Sequence, residues 1–323
     1  MKTKNFFLSL LVVLLAVSLM GGPATAADYP DKPITLIIPL GAGGSHDLNA
    51  RVFTSVIPTY LNQAMIIKLM PGSGGQTGTA AAVKAKPDGY TLIFTHNFID
   101  QLQPLVEKLP YDTTKELITV WRLNYGTPVF YGRSDKPYKT LQELLDYGKK
   151  NPGKLVFGTT GKWGAGFTPG ALVLTRNGVE ANYIPYKGGG PALQAALAGD
   201  VDFTVGFPAQ GLPHYKTGKL RFYAVGADAR LKECPEVPTL KELGYPVKSL
   251  LMSRIIMAPR KTPPERIEKL REAFRKLYKD KTFANLMDKL GENLELMEGA
   301  DYEKVRAEQK GEYRELVKKI TGQ

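Results

Sequence analysis

The sequence predicts an α/β protein organised as two lobes, and three observations lead there. Strand-like apolar runs alternate with helical patterns along most of the chain. A unit of strand, glycine loop and helix start occurs three times. Removing an export segment of 26 from the 323 residues leaves 297, more than the roughly 100–200 of a typical domain.

The export segment comes first. Lys2 and Lys4 precede an apolar run over residues 6–20, and Ala24-Thr25-Ala26 follows as an A-x-A cleavage site. The run is shorter than the ~20 residues of a spanning helix. Residues 1–26 therefore read as a cleaved signal peptide and the product as periplasmic. Cys234 is the only cysteine, so no intramolecular disulfide can form, and none stands after the cut to take a lipid.

In the first unit "ITLIIP" (34–39) reads as a short buried strand, Gly41, Gly43 and Gly44 allow a tight turn, and "DLNARVFTSVIPTYL" begins a helix with Asp47 as its N-cap. Free backbone N–H groups at such a helix start make an anion cradle. "AMIIKLMPGSGGQTG" (64–78) repeats the pattern with Gly72, Gly74 and Gly75, followed by "TAAAVKA" as a short helix, and "ANYIPYKGGGPALQAALAG" (181–199) repeats it again. "TLIFTH", "TPVFYGR", "KLVFGTTG", "VDFTVGF", "LRFYAVGA" and "SRIIMAP" read as further strands. Between them, "TLQELLDYGKK" is a helix with a capping box at Thr140 and Glu143. Such alternation predicts largely parallel sheets. After Pro263 and Pro264, Ile267, Leu270, Phe274 and Leu277 mark one helix ending near Gly291. Tyr302, Val305, Gln309, Tyr313, Leu316 and Ile320 mark another, and both are expected on the outside of a lobe.

The charge balance is 43 basic against 31 acidic residues, formally +12, or +10 without Lys2 and Lys4. Lysine and arginine are spread in short runs on an exported chain, so a field attracting anionic small molecules is expected rather than a nucleic-acid surface. No phosphate loop matches: in "GTTGKW" Lys162 precedes Trp163, and Val156 replaces the first glycine. His46, His96 and His214 lack metal-ligand spacing, and no metal or cofactor is expected. Ser45, His46 and Asp47 are the residue types of a hydrolase triad, but neighbours in sequence point apart and neither Ser45 nor Ser73 sits in G-x-S-x-G. A secreted hydrolase using Ser45 or Ser73 is the alternative reading, and a reused sensory module another. Trp163 and Phe167 flank Gly164 and Gly166 in a loop after a strand, where a large apolar side chain more readily lines a cleft than joins the core.

Several longer stretches carry a resemblance: "YPDKPITLIIPLGAGGSHDLNAR", "MPGSGGQTG", "KPDGYTLIFTHN", "LPYDTTKEL", "NYIPYKGGGPALQAALAGDVDF", "LPHYKTGKLRFYAVGADAR", "CPEVPTLKELGYP" and "MAPRKTPPERIEKL". Across nearly all the mature chain the sequence resembles the Bug-type extracytoplasmic solute receptors, substrate-binding proteins of tripartite tricarboxylate transporters. The resemblance implies a two-lobed type II periplasmic-binding-protein fold with two crossovers at the hinge, lobe one being 27–127 plus 253–323 and lobe two 128–252. It implies an organic carboxylate held between the lobes and handed to membrane transporter subunits. Binding would fall to Gly41, Ala42, Gly43, Gly44, Ser45, His46 and Asp47 of the first loop and to Gly74 and Gly75 of the second. His96 and Asn97 match a strand end facing the cleft. In lobe two the corresponding residues are Thr159, Thr160, Gly161, Trp163, Gly164, Phe167 and Thr168 of the loop 158–168, with Phe207 and Pro208. Thr168 and Pro169 stand where the resemblance expects a histidine, and "GFPAQ" stands where it expects an Asp-Asn pair. With Trp163 and Phe167 added, these departures imply a ligand less polar than citrate, such as an aromatic carboxylate.

Overall fold

A computed structural model describes residues 29–245, 247 and 250–322; the expected signal segment lies outside the described residues. Lys32–Gln323 fold as one compact unit. The first β-α stretch comprises β1 (Ile34–Ile38), α1 (Ser45–Val56), β2 (Met65–Leu69), α2 (Gln76–Val83) and β3 (Thr91–His96). Then β4 (Leu117–Gly126) runs almost directly into β5 (Val129–Arg133), with Thr127 and Pro128 between them. The second stretch comprises α3 (Leu141–Lys150), β6 (Leu155–Thr159), α4 (Thr168–Arg176), β7 (Ala181–Pro185), α5 (Gly189–Ala198), β8 (Phe203–Gly206), α6 (Pro208–Lys216) and β9 (Leu220–Val225). The chain returns through β10 (Met252–Pro259) to α7 (Pro264–Tyr278), α8 (Lys281–Lys289), β11 (Met297–Glu298) and α9 (Gly299–Thr321).

These strands form two sheets, ordered β11-β4-β10-β3-β1-β2 and β7-β6-β8-β5-β9. The expected largely parallel character holds only within the glycine-loop units: β1 is parallel to β2 and β3, and β6 to β7 and β8. β10 is antiparallel to β3 and β4, and β5 is antiparallel to β8 and β9. The sheets are therefore mixed. A strand that enters from the other sheet comes in against the direction set by the local strand-helix-strand crossovers.

β4 has no counterpart among the strands expected from sequence, although it has ten residues. Arg122 and Asn124 interrupt its apolar run, and both are buried. Buried on both faces, such a strand carries no alternation to read. The Thr140 cap is as expected: its hydroxyl accepts the Glu143 N–H at 3.1 Å, and the Glu143 carboxylate accepts the Lys139 N–H at 2.6 Å. The helix expected to run from Pro264 to near Gly291 is instead two helices. Asp280 breaks it, its carboxylate accepting from the N–H groups of Thr282 (2.6 Å) and Phe283 (3.0 Å) and from the Tyr60 hydroxyl (2.7 Å). Nor does α9 lie simply outside a lobe. It packs on β4 of the first sheet and on α4 of the second, and Tyr313 and Leu316 join a core cluster with Phe98, Trp163 and Phe207.

Asp280→Ala removes a cap and is expected to cost about 0.5–2 kcal/mol. Equilibrium urea unfolding reads this as a lower midpoint with an unchanged slope, and an unaltered midpoint would show that the break needs no cap.

Candidate functional site

The site begins with the turn after β1. Gly43 takes a left-handed φ of +72°, and Gly44 returns to extended backbone (φ −78°, ψ 167°) as the residue before α1. The helix thus starts at Ser45, two residues earlier than expected, and Asp47 is not its N-cap. From the first turn the Asp47 carboxylate reaches back to the Gly43 N–H at 2.9 Å and pairs with Arg51 at 3.0 Å. The turn is pinned from inside the helix, as the returning arm of a capping box would pin it.

The cradle formed by this turn meets the other sheet. Gly41 donates its N–H to the Lys187 carbonyl at 2.8 Å, and Ser45 donates its N–H to Gln210 Oε1 at 3.0 Å. A Cβ at Gly44 would stand 3.3 Å from the nitrogens of Gly189 and Gly190, and one at Gly190 would run into the Ala42 carbonyl. The expectation of free N–H donors is therefore corrected for Gly41, Gly43 and Ser45. Each already has an oxygen acceptor, and two of those oxygens come from the second sheet. Gln210 is fixed in turn by donating to Tyr131 Oη (2.8 Å) and the Gly189 carbonyl (3.2 Å).

A second pair of loops meets beside the first. Gly161 (φ +98°) approaches Gly74 so closely that a Cβ on it would lie 2.9 Å from Gly74 Cα. Ser73 (φ +46°) and Trp163 (φ +60°) hold left-handed backbone on the two facing loops. Such strain in non-glycine residues is maintained only by the surrounding structure. These loops line a cleft of about 530 Å³ with Pro39, Leu40, Gln76, Glu107 and residues 185–187. Of the expected ligand residues, the cleft is lined by Gly74, Gly75, Thr160 and Gly161. Lys162 and Lys187 stand exposed at its rim.

Deeper lie the histidines. The His46 and His96 rings are 5.2 Å apart between centroids. His46 Nε2 lies 3.2 Å from the Thr95 carbonyl, and His96 Nδ1 accepts the Ile99 N–H at 3.4 Å. Burial holds both pKa values down: His46 well below the usual 6.5, with His96 and the Arg254 charge adding to burial, and His96 at about 3, with Arg254 adding to burial. Both imidazoles are neutral. His46 faces Thr95 while Asp47 serves Gly43 and Arg51, so the three consecutive side chains form no relay.

Other expected residues hold structure together. Asn97 donates to the Leu251 carbonyl (3.1 Å) and Tyr313 Oη and accepts the Ser253 N–H (3.0 Å), fastening the returning strand and α9. Thr168 Oγ1 donates to the Gly164 carbonyl at 3.1 Å, and Thr160 Oγ1 accepts the Gly166 N–H at 3.0 Å. Thr159 is buried at the end of β6. Trp163 packs against Phe167 at 5.4 Å within the core cluster, so of the two readings the core one describes it. Pro208 lines a separate cavity of about 400 Å³ with Thr127, Lys232, Asp288 and Glu292. Phe207 instead lies over the Arg254 guanidinium, with 5.4 Å from Cζ to the ring centroid.

Sequence reasoning missed Gln210, Arg254, Glu292 and residues 187–190. The third glycine cluster was visible but not assigned to the site. An arginine inside the apolar run "SRIIMAP" and a glutamine three residues after Phe207 were the other available signals.

Residues 49–321 match the family model described as Tripartite tricarboxylate transporter family receptor, and the chain belongs to that family. It is 31% identical over 309 residues to the UPF0065 protein in the gbd 5' region of Cupriavidus necator, covering 95% of this chain and 93% of that one. It is 30% identical over 260 residues to protein BugT of Bordetella pertussis, covering 80% of each. Among solved structures it resembles the periplasmic binding protein BugD, with a TM-score of 0.85 and 26% identity over 91% of this chain and 99% of that one. MatC from Rhodopseudomonas palustris with bound malate gives a TM-score of 0.83 and 26% identity over 90% and 100%. The two-lobed α/β fold is that of these receptors, and family and neighbours are binding proteins rather than enzymes.

The buried histidines predict an acid-sensitive fold. Unfolded imidazoles titrate near 6.5 while the folded ones stay neutral, so below that pH the unfolded state binds more protons and stability falls as pH falls. Each imidazole contributes up to ~1.4 kcal/mol per pH unit between its unfolded and folded pKa values. Urea midpoints measured from pH 7 to pH 5 should therefore drop less steeply in His96→Gln than in the parent. Equal slopes would mean that His96 is already protonated in the folded state.

Proposed function

We propose that the protein is a periplasmic receptor which captures an organic carboxylate between two lobes and delivers it to the membrane subunits of a tripartite tricarboxylate transporter. Residues 1–26 would act as the cleaved export signal, residues 27–127 plus 253–323 as one lobe, and 128–252 as the other. The partition follows the membership of the two sheets, with the crossings at Thr127-Pro128 and before β10.

One observation carries the reading. The N-terminus of α1 points across the lobe boundary, and its Ser45 N–H already has an oxygen partner there, the Gln210 amide. A carboxylate oxygen offers the same acceptor with a full charge, favoured by the helix dipole by about 0.3–1 kcal/mol. The match to MatC with bound malate is consistent with this ligand class. The first loop (41–47), Gly74 and Gly75, and the loop 158–168 then form the walls. His96, Asn97 and Phe207 support the floor, while Pro208 faces the separate cavity beside Thr127. The ligand is then a di- or tricarboxylate or an aromatic carboxylate, and the case for one less polar than citrate rests on Pro169 and the "GFPAQ" stretch rather than on Trp163, which belongs to the core.

A thermal-shift screen of organic acids should find a carboxylate that raises the melting temperature and is recovered unchanged. Steady conversion abolished by Ser45→Ala would replace the receptor reading with the hydrolase one.

The loop geometry orders the variants. Gly44→Val puts a branched side chain where even a Cβ is 3.3 Å from two backbone nitrogens, and it should abolish binding. Ser45→Ala leaves its N–H in place and should lose at most about 0.5–1.5 kcal/mol. Calorimetry finding tight binding by folded Gly44→Val protein, or complete loss in Ser45→Ala, would reverse that order and remove the main chain from the role of anion holder.

A further inference from the structure

Arg254 lies in β10 between two neighbours in register, His96 on β3 and Asn124 on β4, and it is fully buried. A guanidinium has five N–H donors in one plane and cannot be neutralised at physiological pH, so in a dry interior each donor needs a partner. Glu292, equally buried, takes the outer fork: Nη1 to Oε2 at 2.7 Å and Nη2 to Oε1 at 2.9 Å. The second Nη1 hydrogen goes to Asn124 Oδ1 at 3.0 Å. Three donors are thus used, and Nε has no hydrogen-bond partner among the described residues. In a planar guanidinium the Nε–H lies on the same edge as the second hydrogen of Nη2. Those two form the side-on fork that accepts a carboxylate through two parallel hydrogen bonds.

The Nη2 end of the guanidinium lies beside a residue of the second sheet's half of the chain. A Cβ built on Gly126 would stand 3.0 Å from Arg254 Nη2 and 2.9 Å from Phe207 Cδ1, so the Nη2 side, the hinge residue Gly126 and the lobe-two phenyl ring share one spot. Phe207 covers the guanidinium with a ring that can contribute a cation–π contact but no hydrogen-bond acceptor. A cation whose charge is balanced by Glu292 still has one unused donor among the described residues, buried beside the Phe207 ring.

We infer that the side-on edge of Arg254, Nε–H with Nη2–H, is a carboxylate-recognising element of this receptor, with Glu292 and Asn124 fixing its orientation and Phe207 yielding its place to the bound acid. The inference rests on the receptor reading above and adds to it a charged side-chain contact besides the main-chain cradle. The ligand class is an organic acid that presents one carboxylate to the guanidinium edge and a carbon body to Phe207.

The test is calorimetric titration of malate, adipate and benzoate into the mature protein and two variants. Arg254→Lys keeps a cation for Glu292 but has no side-on fork. The double replacement Arg254→Met with Glu292→Met removes the ion pair without leaving a buried charge, which such interiors tolerate. Whichever acid the parent binds tightest should bind at least 30-fold more weakly to each variant that retains the parental circular dichroism. Affinity within threefold of the parent in either folded variant overturns the role of Arg254 and leaves the receptor reading standing. If the parent binds none of these three acids, the titration is made with the acid found by the thermal-shift screen, and only a parent that binds no acid at all removes the receptor reading itself.

Discussion

The arrangement depends on a contact between backbones. The turn after β1 and the turn after β7 touch with no side chain between them, through Gly41 to the Lys187 carbonyl and through Gly44 against Gly189 and Gly190. Only glycine allows main-chain atoms from two sheets to come this near. Once they do, the start of α1 is brought to the lobe boundary, Gln210 reaches Ser45, and the 72–75 turn comes against Gly161. The same contact explains why a glycine unit occurs on both sides of the boundary, since a bulky loop on either side would hold the other away.

The recurrence of that unit was legible in the sequence because a glycine cluster after a strand and before a helix is a local signal. β1, β3, β5, β6, β8, β9 and β10 were all readable as apolar runs for the same reason. What escaped depends on burial by distant chain. β4 reads as a broken strand because Arg122 and Asn124 find partners only in the folded protein: Asn124 with Arg254 and with the Asn293 carbonyl at 3.2 Å, and Arg122 with the Leu296 carbonyl at 3.4 Å. Asp47 looked like a helix cap because its residue type caps helices, but its position in the first turn directs it back to Gly43. Trp163 looked like a cleft wall, and it is a core residue because Phe98 and Tyr313, remote in sequence, complete the cluster around it.

The buried polar groups share a logic of mutual restraint. Asn49 donates to the Ser45 carbonyl at 2.8 Å and to Glu292 at 3.4 Å, tying the first turn of α1 to the carboxylate that holds Arg254. Asn97 links the end of β3 to β10 and α9. A polar interior of this kind contributes little net stability compared with an apolar one, because desolvation offsets most of the attraction. Its contribution is orientation. The helix start, the returning strand and the last helix cannot shift independently when each is bonded to the next.

Charge is distributed so that attraction and recognition are separate. Exposed Lys162 and Lys187 stand at the rim, and the chain carries a formal excess of twelve positive charges. At physiological salt the screening length is about 8 Å, so only cations close to the rim act on an approaching anion, and they act mainly on its rate of arrival. Inside, Arg254 is balanced by Glu292 and both histidines are neutral, leaving no net positive charge in that group. The polarity of this interior therefore lies in directed hydrogen bonds rather than in an unbalanced field. The directions of those hydrogen bonds are set by the glycine turn on one side and by the guanidinium plane on the other.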